Sequence, residues 1–229
     1  MNGRVVAAEA QALRYAEELR ELVRRERRAR EQAEATTAEL QASYTTAVRA
    51  LAAALDLRDD ASGAHAARVT TLGLRLAQSV MSPDASELQQ LEFGFLLHDV
   101  GKIGVPDSIL LKLGPLDVDE TAIMRRHAEL GEQIVEEIPY LGAVVRGIVR
   151  SHHERWDGHG YPDHLSGEAI PFAARMFAIV DAYDAMTNDR PYRLALPRQV
   201  AEDQLLVESG RQFDPQLVPE FLLLDRDLT

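Results

Sequence analysis

The chain has 229 residues, 46% hydrophobic and 27% charged, with a formal net charge of −12 and no cysteine. That length suits one sizeable domain with an appendage, the composition excludes a disordered or collagen-like chain, and the lack of thiols excludes disulfides, thiolate nucleophiles, cysteine zinc fingers and cysteine-ligated iron–sulfur clusters. The acidic balance argues against a duplex nucleic-acid surface, and with no ~20-residue apolar run and no secretory signal the expected compartment is the cytoplasm.

Residues 1–50 carry nine Arg against eight Glu, whereas residues 51–229 have a net charge of −13. The first stretch is rich in Ala, Glu, Arg and Leu, has no proline, and predicts one long helix. Ala12, Tyr15, Leu19, Leu22, Ala29, Ala33 and Leu40 follow a heptad-like spacing, which continues through Tyr44, Val48 and Leu51 with a stutter. A polar helix of this length has little of its own to bury against. The expectation is a coiled-coil signalling helix over 1–50 that makes a parallel homodimer; the alternative is an amphipathic helix docked on its own domain. Because the chain opens almost directly into this helix, an upstream sensor or receiver domain is also expected.

From residue 51 to 229 the pattern is helical almost throughout, predicting an all-α domain. Ser82-Pro83-Asp84 separates two helices, with Asp84 or Ser86 as cap, and the second runs to His98-Asp99 before Gly101 and Gly104. Asp117 or Asp119 caps a helix expected to carry both Met124 and His127. Residues 141–153 predict a helix ending in His152-His153. A polar loop spans 157–171, a helix fits 173–187, and two shorter ones fit 197–209 and 215–224.

The histidines and buried-looking carboxylates carry the chemistry. His98-Asp99 follows an apolar stretch, and at a helix end both side chains can reach one centre, although a simple His–Asp hydrogen bond is the commoner arrangement. Adjacent His152 and His153 are costly to bury without partners. His65 and His127 are single helical histidines for which a core or surface role is the default. Asp181 lies in an apolar helical run and needs a cation or several donors; an ion pair with an arginine is the alternative. Asp184 shares its face one turn on. Together His65, His98, Asp99, His127, His152, His153 and Asp181 make a plausible nitrogen/oxygen ligand set for two metals, with Asp99 able to bridge. Ligand type alone suits iron, manganese, nickel or zinc. Two such ions can clamp the oxygens of a phosphodiester and activate water.

The order of these seven residues resembles the HD superfamily of metal-dependent phosphohydrolases. The run His152-His153-Glu154-Arg155-Trp156-Asp157-Gly158-His159-Gly160-Tyr161-Pro162 narrows the resemblance to the HD-GYP family. So do the segments beginning at His98, Asp181, Asp189 and Gln212. The resemblance covers about residue 45 to the end and implies a helical HD bundle that hydrolyses cyclic di-GMP to pGpG, and sometimes on to GMP. It implies the seven residues as ligands of two divalent ions, iron or manganese. It implies Lys102 at a phosphate, Tyr161, Arg190 and Arg193 as ligand contacts, and Asp184 near the attacking water. Lys102 also stands out locally, being one of two lysines beside 23 arginines. Some family members place a glutamate four residues before the first histidine to help hold a third metal; here that position is Ala61, with Asp59 and Asp60 at different spacing, so two metals are expected. Another cyclic dinucleotide, such as cyclic GMP-AMP, or a non-catalytic receptor role are the alternatives. All seven ligands are present, which argues against the latter.

Overall fold

The computed structural model describes residues 2–59, 65–189 and 194–226. Asp60, Ala61, Arg190 and Arg193 lie outside the described residues, as does the side chain of Asp59. The chain divides into two compact units, residues 1–47 and residues 48–229. Every regular element among the described residues is helical, as expected for an all-α chain.

The first unit lies within helix α1 (Asn2–Asp59). Leu19 and Leu22 are 61% and 63% exposed, and Leu13, Tyr15 and Leu40 are exposed too. Ion pairs one turn apart, such as Arg27–Glu31 at 3.1 Å and Arg30–Glu34 at 2.8 Å, line its surface. Each contributes only a few tenths of a kcal/mol. Helix propensity, with these pairs, therefore sustains α1 in this unit rather than burial.

Among the described residues, the second unit holds the last turns of α1 and nine further α-helices. They are α2 (His65–Val80), α3 (Ala85–Leu97), α4 (Asp107–Leu110), α5 (Val118–Arg125), α6 (His127–Glu136), α7 (Ala143–Ser151), α8 (Phe172–Thr187), α9 (Arg198–Val207) and α10 (Leu217–Arg226). A 3-10 helix, Val100–Gly104, links α3 to α4. Helix α8 runs through the core: Met176, Phe177, Ile179 and Val180 are fully buried, and it packs on α2, α7, α9 and α10. Phe177 stacks on Phe95 of α3 with ring centres 5.0 Å apart. A smaller core joins Phe93, Leu97, Val100, Val145 and Val149, and Val48, Leu51 and Leu55 of α1 pack against it. Val48 and Leu51 thus leave the heptad stripe and serve this core.

Helix starts follow local chemistry. Asp84 caps α3 and Asp117 caps α5, each in a box completed by a glutamate three residues on. The helix expected to carry both Met124 and His127 is two: α5 stops at Arg125 and His127 opens α6. Helix α7 ends at Ser151, so His152 and His153 follow it rather than close it.

Candidate metal centre

Three histidines are aimed by the C-terminal carbonyls of the helix before them. His98 follows α3, His127 follows α5 and His152 follows α7. The Nδ1–H of each donates to the carbonyl three residues earlier: Phe95 at 2.9 Å, Met124 at 2.7 Å and Val149 at 2.9 Å. A carbonyl can only accept, so the proton sits on Nδ1 and, in the neutral imidazole, each Nε2 presents a lone pair. His65, at the start of α2, bonds through Nδ1 to Asp184 Oδ2 at 2.8 Å and turns Nε2 towards Asp181 Oδ1, 3.4 Å away. His153 stacks on Tyr161, ring centres 4.7 Å apart.

Two glycines hold the frame. The 3-10 helix lies so close to α6 that a Cβ on Gly101 would stand 1.9 Å from the His127 carbonyl oxygen. A Cβ on Gly160 would stand 2.4 Å from the Arg155 nitrogen, which forces a side-chain-free turn before Tyr161. Buried Glu154 then accepts from the backbone nitrogens of Asp163 and Leu165, at 2.7 and 3.1 Å, and folds the following loop.

All seven expected ligands converge in two donor sets. Asp99, His127, His152 and His153 form one; His65, His98 and Asp181 form the other, and the donor atoms of each lie within 4.8 Å of one another. Ligands roughly 2.0–2.2 Å from an ion stand at such separations. The electrostatics ask for a cation in the first set. His127 Nε2 and His152 Nε2 are 3.2 Å apart with no proton assigned between them. Asp99 Oδ1 is 3.4 Å from the former and 3.8 Å from the latter. That oxygen is buried without a hydrogen-bond partner among the described residues. Three electron-rich atoms so placed repel unless a positive ion lies among them. The other oxygen of Asp99 is 3.1 Å from His98 Nε2 and 2.8 Å from Lys102 Nζ. One carboxylate therefore touches both sets.

The sequence profile of the HD domain family matches residues 49–217. The chain belongs to the HD domain family. It is 37% identical over 209 residues to a cyclic di-GMP phosphodiesterase of Vibrio cholerae serotype O1, covering 84% of this chain and 42% of that one. It is 41% identical over 174 residues to the 3'3'-cGAMP-specific phosphodiesterase 2 of the same organism, covering 76% and 33%. The chain thus spans less than half the length of these curated relatives. Bd1817, an HDG"Y"P protein from Bdellovibrio bacteriovorus, shares the fold with a TM-score of 0.57 at 24% identity, over 69% of this chain and 50% of that one.

Burial sets the protonation of this HD domain's imidazoles. It pushes His152 well below the usual histidine range and His153 down to about 4, with neighbouring histidines adding to both shifts. Burial lowers His127 too. At neutral pH all three are neutral and able to donate a lone pair. For His98 burial opposes protonation, but the Asp99 carboxylate outweighs it and raises the pKa. Burial would raise Asp99; Lys102 and His98 instead hold it well below the carboxylate range.

Of the remaining expected residues, Lys102, Tyr161 and Asp184 are described and lie beside the centre. Lys102 pairs with Asp99. The Asp184 carboxylate is taken up by His65, Arg68 and Asn188. A cavity of about 180 Å³ is lined by Asp99 and His153 of one donor set and His65 and Asp181 of the other, together with Arg58, Arg68 and Lys102. A second, of about 300 Å³, shares His153 and Asp181 with it and adds Arg125, Arg155 and Tyr161. The guanidinium carbon of Arg125 stands 5.0 Å from the Tyr161 ring centre. Sequence reasoning passed over Arg68, Arg125 and Glu154. Arg68 had a usable signal, lying one helical turn after His65; Arg125 and Glu154 had none. No described helix is long and apolar enough to cross a membrane.

Proposed function

We propose that this HD domain is a metal-dependent phosphodiesterase that hydrolyses cyclic di-GMP to pGpG. The observation that carries the reading is the Asp99 carboxylate, which turns one oxygen to each donor set. His127, His152, His153 and Asp99 would hold one divalent ion, and His65, His98, Asp181 and Asp99 the other, with iron or manganese suited to these donors. When bound, the pair supplies Lewis-acid activation of water and of the phosphoryl oxygens. Water adds to phosphorus, the bond to the 3' oxygen breaks, and one 5'-phosphate and one 3'-hydroxyl result. The Lys102 ammonium, beside Asp99, meets the phosphate as a compact charge. Two cavities meeting at His153 and Asp181, each with basic side chains, suit a ligand with two phosphates and two bases. Tyr161 offers a ring face on one side; Arg190 and Arg193 complete the substrate contacts by the motif resemblance.

A second substrate, 3'3'-cGAMP, is favoured by the 41% identity to a relative named for it. Protein purified anaerobically with excess iron or manganese should contain about two ions per chain, on the ligand count, and should convert cyclic di-GMP to pGpG in a reaction abolished by chelation. Faster turnover of cyclic GMP-AMP would move the assignment to the second substrate, and no turnover of either would defeat it. A metal content near three would mean that Asp59, Asp60 or water stands in for the glutamate replaced by Ala61.

Residues 1–50 we read as a parallel coiled-coil dimer feeding the catalytic domain at 51–229. Support comes from the exposure of Leu19, Leu22 and Leu40 on one long helix, since burying each in a partner stabilises by roughly 1.5–3 kcal/mol. Light scattering should find a dimer for the full chain and a monomer for a chain beginning near residue 45. Monomers in both cases at micromolar concentration would sink this reading.

A further inference from the structure

The histidines of the two donor sets are not anchored alike. His98, His127 and His152 lean on backbone carbonyls, which no side-chain substitution can remove. His65 leans on another side chain, Asp184 of α8. That carboxylate is itself clamped. Arg68 Nε donates to Oδ1 at 2.6 Å and Arg68 Nη2 to Oδ2 at 3.0 Å, while Asn188 Nδ2 donates to Oδ1 at 2.9 Å. Asp184 is 2% exposed, so its charge depends on these partners.

Given the reading of both donor sets as metal sites, we infer that Arg68 and Asp184 are positioning residues for the ion held by His65, His98 and Asp181, and that cutting this relay empties that site selectively. An ionised carboxylate on Nδ1–H fixes the tautomer, keeps the Nε2 lone pair towards Asp181, and makes the imidazole a stronger donor. Without Arg68 the buried carboxylate loses its counter-ion and its fixed orientation, and His65 loses its guide. Among the described residues, the set of Asp99, His127, His152 and His153 shows no carboxylate on a histidine Nδ1: His127 and His152 are held by carbonyls at helix ends, and His153 stacks on Tyr161.

The test uses the full chain, stripped by chelation and titrated anaerobically with Mn²⁺ by calorimetry, with bound metal measured directly. Wild type should take up about two ions. Arg68→Ala should keep one at wild-type affinity and bind the other about ten- to a hundredfold more weakly. Asp184→Asn, which preserves shape and is read in the same way if Arg68→Ala fails to fold, should show the same split. Arg68→Lys should recover part of the lost affinity, because an ammonium still neutralises Asp184. Wild-type binding of both ions in Arg68→Ala and Asp184→Asn would overturn the inference. Equal weakening of both ions would overturn it too, marking the clamp as general support for the fold. Wild type that binds fewer than two ions would remove the two-site reading before any variant is compared.

Discussion

Asp99→Ala should abolish turnover, by at least about a thousandfold, while leaving helix content intact. The carboxylate turns one oxygen towards His127 and His152 and the other towards His98 and Lys102. Its loss removes a donor from both sets at once and breaks the ion pair with Lys102. Two ions that clamp a phosphodiester contribute several kcal/mol to the transition state, and each 1.4 kcal/mol is about tenfold in rate. The fold should tolerate the change, because Asp99 lies at the rim of the cavity rather than in the hydrophobic core. Metal analysis, circular dichroism and turnover on the same sample decide the matter. Full activity with unchanged metal content would refute the assignment of Asp99.

Gly101→Ala should have the largest effect on stability. The added methyl would meet the His127 carbonyl oxygen at 1.9 Å and the Gly131 nitrogen at 2.4 Å, both backbone atoms. A flexible side chain can turn away; a helix backbone cannot. Either the 3-10 helix or the start of α6 must move, and these carry Lys102 and His127. Overpacking costs about 1–3 kcal/mol and occasionally more, and this contact belongs at the upper end. For a domain of this size about 3 kcal/mol corresponds to a fall in Tm of roughly 6–12 °C. Metal affinity should fall with it. Gly114→Ala is the control, since nothing lies within 4 Å of its added Cβ. A Gly101→Ala protein with the melting temperature and metal binding of wild type would show that the close approach is not required.

Much of this was legible in the residues. Helix starts at Asp84 and Asp117 carry their own signal, a capping carboxylate answered by a glutamate three positions on. The cost of burying them without partners marked His152, His153 and Asp181, whereas His65 and His127 joined the expected set through the motif resemblance. The split between α5 and α6 was not legible. Met124-Arg125-Arg126-His127 contains no glycine or proline to mark the break, which is seen only in the folded chain. The partition of the α1 stripe was equally hidden: Val48 and Leu51 have the same spacing as the leucines before them, yet they pack against Phe93 and Leu97. Arg125 and Glu154 act through space, on a ring and a loop that only folding brings near.

The imidazoles that follow α3, α5 and α7 have a consequence for how such centres arise. A helix ends with carbonyls that lack intrahelical partners and must find a donor elsewhere. Here His98, His127 and His152 supply it through Nδ1. The bond that finishes the helix also orients the ligand, so the support a metal usually draws from extra side chains comes from chain termination itself. Three helix ends meeting at one point are then enough to gather three inward-facing lone pairs, whatever covers the outer surfaces of those helices. For a designed helical bundle the corresponding rule is to place a histidine just past each converging C-terminus, where its Nδ1 can reach the carbonyl three residues back.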